Sequence, residues 1–360
     1  MDFMKKFFLL LLVVTWAVAA AAGERFFAVS GSRGILAFDE KKSNQLVLDL
    51  PYINYLVKDT GRNVYYAALG RVPGKKAKGG ATALLKFDGS QFKVLQIFPL
   101  QGRIPSHITI SPDGKYLYLA DYSAGDIAEI ALSENGSMER VRFIKHSGKS
   151  ILKRQQSPHP HQCLFNLDGK ELYVCDLGTD EIFIYEYTPE LGIKDLYSSK
   201  LKLAPGSGPR HLVFSPSGNE LYCANELSGT VTSFIRRNNL WQSVKTLSTL
   251  KEPFEKNYPG AIRISNCGKF LLVSNRGHNS IALYEIFSDG DFSLLDTVPA
   301  AGDFPYDILL LDNDKYAVVC NYKSHSVIVF EFDKTQKKLL PKTEYSVNQA
   351  KVLIDQATRQ

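Results

Sequence analysis

At 360 residues the chain is long enough for one large core or two modest ones, and its 44% hydrophobic and 11% aromatic content excludes a disordered chain. The formal net charge of +6 is mild for this length. Its clearest basic cluster, Arg71 to Lys78 in RVPGKKAK, is interrupted by Gly and Pro, so it reads as a solvated loop and not as a nucleic-acid surface.

The first predicted element is a leader. Two lysines within Met1 to Lys6 precede an apolar run from Phe7 to Val18, and small residues from Ala19 to Gly23 precede Glu24 and Arg25. A positive start, a short apolar run and an Ala-x-Ala site describe a cleaved secretory signal, with cleavage after Ala20 or Ala22. The apolar run is shorter than the roughly 18 to 20 residues that span a bilayer. Residues 1–22 are therefore expected to be a signal peptide and residues 23–360 a single domain, exported to the secretory pathway or periplasm without a membrane anchor.

Beyond the leader the chain repeats itself. A worn copy, NYLVKDTGRNVYYAA, is followed by HITISPDGKYLYLAD, HQCLFNLDGKELYVCD, HLVFSPSGNELYCAN, AIRISNCGKFLLVSN and DILLLDNDKYAVVCN. Each is an apolar strand, a turn of Ser-Pro-Asp-Gly type and a second apolar strand ending in Asp or Asn. The turn positions are Gly61, Gly114, Gly169, Gly218, Gly268 and Asp314, between 46 (Gly268 to Asp314) and 55 (Gly114 to Gly169) residues apart. That period suits four short strands, the size of a propeller blade. Third strands such as TVTSFI, SIALYEIF and SVIVFEF alternate and are rich in β-branched and aromatic residues, and no helical period competes.

Six turns give six blades, with strands left over at both ends. RFFAVSGSRGILAFD lacks a first strand, and QAKVLI near the C-terminus supplies one, so Gln349 to Ile354 is expected to pair with Phe26 to Val29. Joining the termini in one blade hides the open edges. The prediction is an all-β fold, a seven-bladed β-propeller of four-stranded antiparallel blades, with one blade closed by the N- and C-terminal strands.

The five cysteines are widely spaced and odd in number. Cys175, Cys223 and Cys320 sit in apolar strands and read as buried thiols. Asn135-Gly136-Ser137 is a glycosylation sequon in a turn-like segment.

First and second strands are antiparallel, so residues eight before and eight after each turn position face one end of the propeller. The first column reads Ile53, Ser106, His161, Arg210, Gly260 and Tyr306, and the second Leu69, Tyr122, Leu177, Glu226, Arg276 and Tyr322. One step earlier, Asp121, Asp176, Asn225, Asn275 and Asn321 repeat and read as turn-forming residues bonded to local backbone. The outer columns instead break the repeat with His161, Arg210, Glu226 and Arg276 on neighbouring blades. Two guanidiniums suit an anion and an oxyanion, while a carboxylate and an imidazole can move protons. Weaker candidates surround them: Arg154, Gln155, Gln156 and His159 in the loop RQQSPHPHQ, Tyr122 and Tyr322 at the rim, and His278 after Arg276.

The segments SPHPHQ, DLGTDEIFIYEY, GPRHLVFSPSGNELYCANEL, IRISNCGKFLLVSNRGHNSIALY and DFPYDI resemble the lactonase family of seven-bladed propellers, from about Phe26 to the C-terminus. That family includes the 6-phosphogluconolactonases of propeller type and the carboxymuconate cyclases. The resemblance implies a catalytic His, two Arg and a Glu, which fall on His161, Arg210, Glu226 and Arg276. His159, Tyr122, Tyr306, Tyr322, His278 and Gln156 are expected to bind substrate. One departure is Pro305-Tyr306-Asp307, where relatives usually carry Pro-Arg-Asp, which removes a cation from phosphate recognition. The implied function is hydrolysis of a small anionic lactone or sugar acid precursor, with 6-phosphogluconolactone first and a carboxylated muconolactone second, without metal or other cofactor. Alternatives are a carboxymuconate-lactone cyclase, a lactonase whose cation is ringed by Asp176, Asn225, Asn275 and Asn321, and a secreted propeller that binds without catalysis.

Overall fold

The computed structural model describes residues 26–38, 44–75 and 79–356, so the predicted signal peptide lies outside the described residues. Second strands such as Val64–Leu69 and Glu220–Asn225 are buried along nearly their whole length, because each blade is covered on both faces by its neighbours. Fourth strands such as Leu240–Ser248 and Lys338–Ser346 are half-exposed at the outer rim. There Lys245, Pro341 and Lys342 blunt the edge against pairing with other chains.

Seven antiparallel sheets follow one another, and each begins with an innermost strand. Blades 1 to 6 begin at Ile53–Asp59, His107–Ile110, Pro160–Phe165, Pro209–Phe214, Tyr258–Ile264 and Pro305–Leu311. Blade 7 begins with the C-terminal strand Ala350–Asp355 and continues with Phe26–Ser30, Gly34–Phe38 and Gln45–Asp49. Phe27 pairs with Ile354 and Val29 with Val352, which is the predicted closure of the two termini. The first strands touch in sequence around a closed ring, with that of blade 7 meeting that of blade 1. Seven apolar clusters occupy the seven interfaces between blades; Val57, Tyr66 and Leu84 of blade 1, for example, pack on Ile108, Leu119 and Ile130 of blade 2.

Blade 3 departs from the four-strand pattern by a fifth, two-residue strand, Gly192–Ile193, tied to blade 2 where Glu129 accepts the Ile193 N–H at 3.0 Å. The turn positions Gly114, Gly169, Gly218, Gly268 and Asp314 all have φ between 64° and 74°, the left-handed region that the turn requires. Gly61 does not; in that worn copy the left-handed residue is Asn63. The Asp and Asn column ends strands as expected. Asp121 accepts the Ser123 and Ala124 N–H groups, Asp176 those of His159, Gly178 and Thr179, and Asn275 and Asn321 donate to the carbonyls of Thr249 and Ala300. Cys163, Cys175, Cys223 and Cys320 are buried free thiols, and Cys267 is exposed.

Candidate active site

A single irregularity builds the site. In blade 3, Pro160 pairs with Asp176 and Gln162 with Cys175, which leaves His161 as an extra, unpaired residue. The same bulge falls on Asn54 in blade 1, Arg210 in blade 4, Tyr306 in blade 6 and Lys351 in blade 7. A bulge bends its strand and re-aims the extra side chain. These five bulge residues, together with Ser106 of blade 2, line one cavity of about 270 Å³ that opens to solvent. In blade 5 the bulge contains Gly260, where a Cβ would meet Ser274 Oγ at 2.8 Å and Arg276 Nε at 3.1 Å. The absence of a side chain there leaves room for Arg276 to lie across the strand.

The first column is therefore the bulge column, with one correction. In blade 1 the cavity residue is Asn54; Ile53 is fully buried and pairs with Leu69, because the turn of that worn copy is shifted. In the second column, the Leu177, Glu226 and Tyr322 N–H groups each bond the carbonyl three residues before a first-strand Gln162, His211 or Asp307, namely those of His159, Gly208 and Phe304. This bridge fixes the start of one strand against the end of the next.

Glu226 is 5% exposed and meets three guanidiniums. Arg276 Nη2 donates to its Oε2 at 2.5 Å, Arg154 Nη1 lies 2.9 Å from Oε1, and Arg210 Nε lies 3.1 Å from Oε2 without the alignment of a hydrogen bond. Burial alone would raise the Glu226 pKa, but Arg276, Arg210 and Arg154 together outweigh it and hold the carboxylate well below its usual range. Arg276 also donates to the carbonyls of Tyr258 and Pro259. Arg210, almost fully buried, is pushed down to about 10 by desolvation and by Arg276. Neither Glu226 nor Arg276 lines the cavity; they form a buried clamp behind Arg210.

His161 is half-buried, with its ring edge-on to His211 at 5.1 Å and to Tyr122 at 6.0 Å. Desolvation and Arg210 hold its pKa well below the ordinary imidazole value, against the opposing pull of Glu226. It is neutral at pH 7. His159 stacks on Tyr122 at 4.3 Å and bonds the Tyr122 carbonyl through Nδ1 at 2.6 Å, while the Tyr122 hydroxyl accepts from Arg154 at 3.1 Å. The Tyr306 ring faces Arg210 and Arg276 and lies 5.9 Å from the ring of Tyr322.

Three sequence candidates do not join this group, and the first, Gln155, is buried and donates to the Leu177 carbonyl and to Asp180. Gln156 is exposed and donates to the Leu152 carbonyl of its own loop. His278 bonds Ser280 and packs edge-on to Phe254, in the turn of blade 5. Besides Asn54, residues outside the candidate set that join it include Lys351 and His211. Lys351 lines the cavity, donating to Asn54 Oδ1 at 3.2 Å with its ammonium 5.7 Å from the Tyr322 ring. His211, one residue past the Arg210 bulge, also lines the cavity.

A family model described as lactonase, 7-bladed beta-propeller, matches residues 32–355. The 6-phosphogluconolactonase of Bacillus subtilis is 27% identical over 336 residues, spanning 88% of this chain and 93% of that protein. The 6-phosphogluconolactonase of Formosa agariphila is 30% identical over 271 residues, spanning 72% and 76%. Among solved structures, the periplasmic gluconolactonase of Pseudomonas aeruginosa is similar with a TM-score of 0.85 at 25% identity, over 92% of this chain and 98% of that one.

Proposed function

The chain belongs to the family of seven-bladed β-propeller lactonases, and we propose that it hydrolyses a small acidic sugar-type lactone at the channel mouth. The observation that carries this reading is the convergence, on bulges of the innermost strands, of the neutral imidazole of His161 with the cations Arg210 and Lys351. A neutral imidazole beside bound water is a general base at physiological pH. Two cations on opposite walls select an anionic ligand.

In this mechanism water attacks the lactone carbonyl carbon while His161 takes one of its protons, and the carbonyl electron pair moves to oxygen. The tetrahedral species then collapses. The bond from the acyl carbon to the ring oxygen breaks, His161 returns its proton to that oxygen, and the open hydroxy acid leaves. Arg210 and Lys351 hold the acidic group. Glu226 stays ionised and moves no proton; it fixes Arg210 and Arg276 in place. Hydrolysis in this scheme uses no metal.

Support comes from names as well as geometry, since the Bacillus and Formosa relatives are 6-phosphogluconolactonases and the Pseudomonas structure is a gluconolactonase. The test is turnover of glucono-δ-lactone and 6-phosphogluconolactone with and without chelator. We expect chelator-insensitive hydrolysis, and a loss of roughly 100-fold or more in kcat for His161→Gln. Loss of activity with chelator would establish a metal-dependent lactonase instead, and absence of turnover on a broad lactone panel a binding propeller.

A further inference from the structure

His211 is 95% buried by its exposure of 5%, it lines the mouth cavity, and the proposed mechanism has so far given it no part. Its neighbour along the chain decides its protonation. Arg210 Nη1 lies 3.2 Å from His211 Nε2, and a guanidinium has donors only, so Nε2 is the acceptor of that bond. An imidazole whose Nε2 accepts carries its proton on Nδ1. That Nδ1 is buried and has no hydrogen-bond partner in the protein. Leaving a buried N–H unpaired costs about 1–3 kcal/mol, so native structures rarely keep one without a partner to come.

Three histidines of the channel leave Nδ1 without a partner: His107, His161 and His211. His107 packs against the Tyr55 ring at 4.0 Å and does not line the cavity. His161 and His211 do, with their rings edge-on at 5.1 Å. Donation from the cationic Arg210 into Nε2 polarises the ring and strengthens the opposite N–H as a donor.

We propose that His211 is a catalytic residue whose Nδ1–H donates to the lactone carbonyl oxygen and to the oxyanion that forms there. The assignment rests on the lactonase reading and adds to it a charge-stabilising partner for His161. No proton leaves His211 in the step: the water proton goes to His161 and then to the ring oxygen, while His211 only stabilises the negative charge between those events. Arg210 thereby acts twice, once on the acidic group and once by fixing the His211 tautomer.

Two substitutions separate this role from a structural one. Asn places an amide nitrogen where Nδ1 sits, and Gln reaches instead toward the Nε2 position and Arg210. If His211 is the donor, His211→Asn retains kcat on glucono-δ-lactone within about tenfold, whereas His211→Gln loses roughly 100-fold, the usual effect of removing one oxyanion donor. The reverse order, with Gln active and Asn impaired, assigns His211 to supporting Arg210 and overturns the proposal, as does parental activity in both. The tautomer is measured separately on the unsubstituted protein by nitrogen-15 NMR of its histidines. We expect Nδ1–H at His211 and a shift of that resonance on adding gluconate; an Nε2–H tautomer, or no shift, overturns the assignment. If the parent hydrolyses no lactone, the functional reading falls, yet the gluconate-induced shift still supports His211 as a ligand donor and its absence still refutes it.

Discussion

Glu226 shows how neighbouring arginines hold a buried carboxylate ionised. The sequence places His161, Arg210, Glu226 and Arg276 on aligned positions and leaves either Glu226 or His161 as the base. Only the distances separate them, because three guanidiniums around one buried carboxylate hold it ionised, while desolvation keeps His161 neutral. Glu226→Gln keeps shape but leaves the buried cations uncompensated, a change that costs about 3–5 kcal/mol when one partner of a buried pair is removed. We expect a large fall in melting temperature and a higher KM, with the acid limb of the pH–rate profile unmoved; disappearance of that limb would make Glu226 the base. A second prediction follows from His107, His161 and His211. Burial lowers all three below the ordinary imidazole value, His107 to about 3. The unfolded chain therefore binds more protons than the folded one below about pH 6.5, and stability must decline as pH falls through that value. Between pH 6.5 and 5, above the carboxylate range, His107→Phe should show a flatter dependence of unfolding free energy on pH than the parent. Equal slopes in denaturant titrations would contradict it. Nothing in the sequence marks His211 as a donor, since its role depends on which nitrogen Arg210 faces.

The even spacing of the cavity residues has a cause the sequence does not display. Counting eight residues from each turn finds His161, Arg210 and Tyr306 because each occupies a bulge at a constant distance from its turn. The same count fails in blade 1, where the worn turn shifts the cavity residue to Asn54, and it cannot reach blade 7 at all. There the first strand follows the second by more than the length of the other six blades, with no turn between them from which to count. Lys351 was invisible for that reason, although it occupies the equivalent bulge. Its placement yields a prediction at this scale. Lys351→Gln should raise KM for 6-phosphogluconolactone about tenfold, equivalent to about 1.4 kcal/mol, with kcat little changed. Uncharged glucono-δ-lactone should be hydrolysed as by the parent. An equal effect on both substrates would mean that Lys351 shapes the mouth and does not select charge.

At the scale of the molecule, one short strand holds the ring shut. The period, the blade number and the pairing of the termini were all legible, because a repeat that leaves a strand at each end has few ways to hide its edges. Ala350–Asp355 buries Val352, Leu353 and Ile354 to 3% exposure or less, and the Leu353 N–H bonds Asp307 of blade 6 at 3.0 Å. Three buried aliphatic side chains contribute about 1.5–3 kcal/mol each, a sum comparable with the roughly 5–15 kcal/mol that keeps a whole domain folded. Deleting Gln349 to Gln360 should therefore unfold the domain, and not merely fray blade 7, because it also uncovers the edge of Phe26–Ser30 and the facing side of blade 1. Thermal melting of the truncated chain is expected to lose its cooperative transition or shift it down by well over ten degrees. A synthetic peptide of the deleted sequence, added in trans, should restore the transition by pairing with Phe26–Ser30, and a scrambled peptide should not. A truncated chain that melts like the parent would show that the ring is held by its remaining contacts and that the closing strand is dispensable.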